Sequence, residues 1–379
     1  MELIPGLPDD VARECLIRVP HGSFSAAAAA CKHWKDEIQS REFRFSRISN
    51  GCSQSLLVMV QARPGPASSP GCPKLPSPLS YRLVAFVPVS GDWWELPPLP
   101  GCPDGIPMFC QLAAVGSDLV VVGGLDPVTW EGSGSVYVYS FVFGRWRQGA
   151  EMPGVCRSFF ACASDGQGLV FVAGGHDEEK NALKSAIAYN VAANRWLAMP
   201  DMAEERDECK GIFRRGNFLV LGGYPTESQG LFVQSSEEFN VAAWRWADPT
   251  EDLLESCMSP TTCVTGDSEE TLYVCRDGNV LGAAADASSR TTWRVLSRLP
   301  ADVACPAHVT TWRGKVMVIG SARFGEPHMG YFLEVNNNSS NSKNKRGQIA
   351  ENGNKCTWIR VEFQEEFSGH VQSGCRMEI

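Results

Sequence analysis

Positive charge is in short supply in this chain of 379 residues, whose 34 Lys and Arg are outnumbered by 43 Asp and Glu for a net charge of −9. Nucleic acid and anionic membrane are therefore not expected as partners, because either one rewards clustered cations. No apolar run is long enough to span a bilayer and no signal peptide opens the sequence, so a soluble protein is expected. There are 15 cysteines, but no two stand closer than six residues and no C-x-x-C occurs, which argues against zinc knuckles and redox motifs. Cys110, Cys162, Cys263 and Cys275 lie in apolar runs, where a free thiol acts as a small hydrophobe. Reduced cysteines and a cytoplasmic or nuclear location are the expectation. Only six histidines occur, and P-loop, nucleophile-elbow and H-E-x-x-H patterns are all missing. No catalytic residue, cofactor or metal site is expected.

What is present is a period. LVFVAGG ends in Gly174-Gly175, a polar loop and a second strand-like run reach Tyr189, and Trp196 precedes Met199-Pro200. LVVVGG leads likewise to Tyr137 and Trp146, and FLVLGG to Phe239 and Trp246, so the tryptophans recur every 50 residues. Short apolar runs bounded by glycine read as strands buried on both faces. One aromatic per unit then fills the gap to a neighbouring sheet, so no unit is stable alone.

This order of diglycine, Tyr and Trp resembles the kelch repeat, a four-stranded blade of a β-propeller. Clear repeats fall at 107–153, 154–200 and 204–247, and degenerate ones at 258–300 and 305–363, where the diglycine becomes Arg276-Asp277 and Gly320-Ser321. Counting Trp94, Trp146, Trp196, Trp246, Trp293 and Trp358 as closing aromatics gives six blades within 52–379. The first blade lacks an inner strand, and 369–377 is the expected donor that closes the ring. A Pro/Ser-rich loop over 62–78 and a polar low-complexity insertion over 336–355 are read as lacking a core. The insertion carries an Asn338-Ser339-Ser340 sequon.

Residues 2–47 have a helical texture. Val11, Cys15, Leu16 and Val19 follow Asp9-Asp10 at helical spacing, and Pro20 stops the run. Ser23 is expected to cap a second helix carrying Phe24, Ala28, Cys31, Trp34 and Ile38 along one stripe. So small a module has little core and should lean on a partner or on the sheets.

Leu7-Pro8, Val11, Glu14, Leu16, Val19-Pro20, then Cys31, Trp34 and Phe43, resemble the F-box. The resemblance implies docking to the Skp-type adaptor and cullin of an SCF ubiquitin ligase, with Leu7, Pro8, Val11, Leu16, Val19 and Pro20 in the adaptor contact. The fold class is then mainly β, a six-bladed kelch propeller behind a small all-α F-box module. A non-catalytic substrate receptor is the function implied. The runs LIPGLPDDVARECLIRVP and VAGGHDEEKNALKSAIAYNVAANRW further resemble the plant KISS ME DEADLY type of F-box/kelch protein. That likeness implies phenylalanine ammonia-lyase and other phenylpropanoid enzymes, or type-B cytokinin response regulators, as targets.

Loops after the diglycines and the connections between blades should share one face. Trp130, Arg157, Asp177, Arg206, Asp207 and Arg323 lie there and are the candidate target-protein contacts, exposed Trp and Arg being common interface anchors. His176-Asp177 reads as a solvated loop pair. Two other functions remain open at this stage, a kelch scaffold outside any ligase and a metal-dependent kelch enzyme.

Overall fold

A computed structural model describes residues 2–64, 80–102, 105–251, 253–254, 258–284, 291–323, 325–335 and 356–379. Most of the Pro/Ser-rich loop and all of 336–355, with its sequon, lie outside the described residues. Four helices come first: α1 (Asp9–Leu16), α2 (Phe24–Ala30), α3 (Lys32–Ile38) and α4 (Arg41–Ser49). Six four-stranded antiparallel sheets follow, the blades of a propeller. Blade 1 orders Val371–Glu378, Ser55–Ala62, Tyr81–Phe86 and Trp93–Glu95, so its inner strand comes from the last residues of the sequence. Leu57 pairs with Arg376 and Val58 with Cys375, and a bulge follows at Val60/Gln61. Blades 2 to 6 run in sequence order, with inner strands Gln111–Val115, Ala161–Ser164, Lys210–Arg214, Val264–Thr265 and His308–Trp312.

The diglycines are obligatory on two counts. Gly124 and Gly223 have φ of +104° and +84°, which L side chains rarely adopt. A Cβ on them would lie 2.7 Å from the Met108 carbonyl oxygen and 2.6 Å from that of Asp207. The buried residues form clusters that each span two neighbouring blades: Val120, Val138, Phe160 and Val172 between blades 2 and 3, and Phe171, Ala188, Phe218 and Val220 between 3 and 4. Hydrophobic free energy is thus released by stacking blades, not by forming one.

Indole N–H groups stitch the stack. Trp146, Trp196 and Trp246 donate from Nε1 to the Pro97, Ala150 and Pro200 carbonyls of the preceding blade, at 2.8, 2.9 and 2.7 Å. Blade 1 corrects the aromatic count in one detail. Trp93, not Trp94, is the closing residue: it stacks on Phe86 at 4.3 Å as Trp196 does on Tyr189 at 5.1 Å. Adjacent strand residues face opposite ways, and Trp94 turns outward to stack on His21 of the helices at 6.3 Å.

That contact belongs to a larger joint. Leu16, Ile17, Phe24, Ile38 and Phe43 share one cluster with Leu56, Leu83, Leu96, Leu119 and Phe141, so the helices rest on blades 1 and 2 without entering a sheet. Buried Arg47 of α4 donates to the carbonyl oxygens of Ile17 and Val19 at the end of α1, and to that of Ile379 at 3.4 Å. Its guanidinium also stands 4.7 Å from the Phe24 ring centre. The single second helix expected from the alanine run is two. Cys31 takes an extended conformation (φ −151°, ψ 133°) and separates α2 from α3, so the stripe turns a corner. Ser23 makes no capping bond, whereas Ser40 accepts from the Phe43 N–H at 3.0 Å and caps α4.

Candidate functional site

A cavity of about 670 Å³ runs down the propeller axis between the inner strands. Its two ends differ. At the end carrying the turns after the inner strands of blades 2 and 3, Arg44 of α4 donates to the Gly166 carbonyl at 3.3 Å and the Glu378 carbonyl at 3.4 Å. Arg376 pairs with Asp267 beside it, so α4 and an ion pair line this end. The diglycine loops surround the other end, the mouth.

Phe109, Phe159 and Glu208 occupy equivalent places before the inner strands of blades 2, 3 and 4, with φ of 58°, 56° and 49°. Bulky residues seldom adopt this left-handed region, and here it turns three side chains toward the channel. The Phe109 and Phe159 rings meet at 4.8 Å, and Phe159 stacks on His176 at 5.4 Å. His176 is buried, not solvated as expected. Its Nδ1 lies 2.8 Å from Asp207 Oδ1 and its Nε2 2.8 Å from Lys180 Nζ. Donation by Nδ1–H to the carboxylate and by the ammonium to Nε2 satisfies both contacts. Asp207 also accepts from the Glu208 N–H at 2.8 Å. Tyr224 beside it has its phenol pushed up, first by burial and then by the Asp207 and Glu208 charges.

Of the six loop-face candidates, Trp130 and Arg323 are exposed, Trp130 at 63%. Trp130 stands at φ 61° on a turn held by Asp126, which accepts from Val128 and Thr129 at 2.8 Å each, and Val128 beside it is 76% exposed. Asp177 is half-buried and organises its own loop. It accepts from the Asn181 side chain at 3.0 Å and backbone at 2.8 Å, bonds that hold its carboxyl below the usual range.

Arg157, Arg206 and Asp207 are buried, and as surface contacts they are corrected. Arg157 Nη1 donates to Gly174 O at 3.1 Å and Ser185 O at 2.9 Å, and Nη2 to Ser185 Oγ at 2.8 Å. Arg206 repeats this one blade on, with Gly222 O at 2.9 Å, Ser235 O at 3.2 Å and Ser235 Oγ at 2.9 Å. Each guanidinium staples the strand ends that flank a diglycine loop, since the glycine turn leaves carbonyls facing inward that need a donor. The sequence held a signal for this. Residues 157 and 206 occupy the same place in successive repeats, as do Ser185 and Ser235, and a residue copied with the repeat serves the repeat. Phe109 and Phe159 carried the same 50-residue recurrence and were missed.

In the helical module the burial is equally selective. Leu16 is 3% exposed inside the module's own core and Val19 packs half-buried on it, so Leu16 offers no adaptor contact, a correction. Leu7 is half-buried; Pro8, Val11 and Pro20 are exposed. Val11 shares one face of α1 with exposed Cys15, one turn on.

The Kelch motif family matches residues 108–153 and 156–203. Two Arabidopsis thaliana proteins align along the whole of both chains: F-box/kelch-repeat protein At1g15670 at 46% identity and F-box/kelch-repeat protein At1g80440 at 44%. A solved structure, that of YjhT, covers 73% of this chain and 91% of its own at 11% identity with a TM-score of 0.53, a likeness of fold alone. With helices ahead of six kelch-type blades and full-length relatives at this identity, the chain belongs to the F-box/kelch-repeat proteins of plants.

Proposed function

We propose that the chain is the substrate-recognition subunit of an SCF-type ubiquitin ligase, docking a Skp-type adaptor through α1 and a target protein through the loop face of the propeller. The observation that carries this is the polarity of the molecule. Arg44 and the α4 helix sit at one end of the channel, and Trp130, Val128 and Arg323 stand on loops at the mouth end. Adaptor and target would then bind opposite ends without competing, and the receptor acts by holding the target at high effective concentration near the ubiquitin-charged partner. No bond chemistry is assigned to the chain itself. The likeness to the KISS ME DEADLY type supports phenylpropanoid enzymes or type-B cytokinin response regulators as targets, in cytosol or nucleus.

Pull-down of a plant Skp-type adaptor by the full chain tests the docking half. Pro8→Ala/Val11→Asp alters exposed residues and should leave the melting temperature in place while recovery falls at least about tenfold, the loss expected of an interface anchor. Equal recovery would reject the receptor reading.

A further inference from the structure

Lys210 opens the inner strand of blade 4 and lines the channel a short way inside the mouth. Its surroundings are unusual for an ammonium. The groups that reach it electrostatically are the thiols of Cys263 and Cys162, with no carboxylate among the described residues. Burial pushes both thiols up to about 12, so they remain neutral beside it. Across the channel His308 Nε2 has no protein partner among the described residues, and burial holds that imidazole down to about 3, so it too is neutral. Lys210 makes no ion pair among the described residues, and burial pushes its ammonium down from the usual lysine value, so an anion beside it would favour the charged form. A half-buried ammonium of this kind is stabilised when an anion joins it.

Ile212, Ala163, Cys375 and Thr311 stand around it, with the Phe109 and Phe159 rings and Glu208 toward the mouth and the carboxylates of Asp165 and Asp267 at the far end. The cavity, about 670 Å³, falls within the rough 300–1,000 Å³ span of small-molecule sites. Arg44 and the Arg376 to Asp267 ion pair line its far end, and the loop face surrounds the mouth.

We propose that the channel is a binding site for a small organic monoanion with an apolar body, its carboxylate set against the Lys210 ammonium and its body directed to Phe109 and Phe159. One ammonium and a neutral imidazole match a single negative charge; a dianion would bring a charge the site cannot balance. His308 Nε2 itself lies buried against Gly374 of the blade 1 inner strand, so the Lys210 ammonium is the group that meets the carboxylate. The site is independent of the ligase reading, since it uses neither α1 nor the exposed loop residues.

Calorimetry on the full chain with benzoate, benzamide and acetate tests it, with melting temperature read in parallel. Benzoate should bind the wild type and raise its melting temperature. Benzamide, which lacks the charge, and acetate, which lacks the body, should bind at least tenfold more weakly. Lys210→Met should lower benzoate affinity at least tenfold, while its own ligand-free melting temperature stays level or rises because an unpaired cation has gone. His308→Gln should retain the benzoate preference over benzamide. Equal benzoate affinity in the wild type and Lys210→Met, equal binding of benzoate and benzamide or acetate, or no benzoate response in the wild type would each overturn the assignment.

Discussion

Blades 2 to 4 and the seam where blade 6 meets blade 1 solve one packing problem with unequal completeness. In the repeated blades most of the polar groups that burial traps come with partners copied from unit to unit, as the indoles of Trp146, Trp196 and Trp246 and the guanidinia of Arg157 and Arg206 show, although Arg157 Nε and Arg214 Nη1 have no protein partner among the described residues. At the seam, Trp93 Nε1, Trp312 Nε1, His308 Nε2, Arg82 Nε, Ser55 Oγ and Gln61 Oε1 have no protein partner among the described residues. Phe86, Trp93, Phe332, Phe363 and Phe367 crowd there instead. A seam joins strands from distant parts of the chain, so no repeat supplies matched donors and acceptors. Apolar contact holds it, and that is less particular about direction.

The largest effect should come from the best-saturated group in the repeated blades. Arg206 and Glu237 are both 0% exposed and bonded at 3.1 Å, and Glu237 also accepts from Ala203 and Glu204 backbone N–H groups. Arg206→Met leaves a buried carboxylate without its cation and should cost about 3–5 kcal/mol, read by denaturant unfolding. Arg157 has no such acid, and its Nε has no protein partner, so Arg157→Met should cost only about 1–3 kcal/mol for the carbonyls it abandons. Glu237→Met added to Arg206→Met should recover much of the loss. Equal costs at the two arginines would collapse the distinction between a carboxylate-locked staple and a neutral one.

Six blades were legible because a 50-residue recurrence of Gly-Gly and Trp admits few architectures. The helical module was legible as helices with an F-box pattern. What the sequence hid was direction. Trp93 and Trp94 are chemically alike, and only strand alternation decides which one enters the interface. Cys31 breaks a stripe of apolar residues that continues past it, so spacing alone carried no sign of the corner. Arg157 and Arg206 look like loop anchors until their recurrence is set beside that of Ser185 and Ser235. His176 was read as solvated because its partners, Asp207 and Lys180, are assembled by two separate loops.

Acid should find the seam first. His308 is held down to about 3, and His328 to about 4, by burial and then by neighbouring charge, with His370 of blade 1 lowered beside them by burial. The rings of His328 and His370 stand 5.3 Å apart. For each, the folded value lies below the unfolded one near 6.5, so between those values the unfolded chain binds a proton that the folded chain refuses. The stabilisation is complete above pH 6.5 and is lost as pH falls toward the folded value. His308→Gln should remove part of the slope of unfolding free energy between pH 6 and 4, at most about 1.4 kcal/mol per pH unit and less because the channel admits water. An unchanged slope in His308→Gln would erase the contrast.

The finest test concerns a single N–H. Trp196→Phe and Trp93→Phe remove the same indole-to-phenyl volume, but Trp93 is buried and Trp196 half-buried, so packing alone predicts the larger loss at Trp93. They also differ in the bond. Trp196 gives up a 2.9 Å donation to the Ala150 carbonyl, leaving that acceptor unpaired, whereas Trp93 loses a buried donor that had no protein partner. The abandoned acceptor should therefore add about 1 kcal/mol at Trp196 that Trp93 does not lose, enough to bring its cost level with or above that at Trp93, measured as a shift in denaturant midpoint at unchanged slope. A Trp93→Phe cost well above that at Trp196 would mean that the seam indole is as well satisfied as those of the repeated blades, and that the unevenness between the two regions lies in their histidines alone.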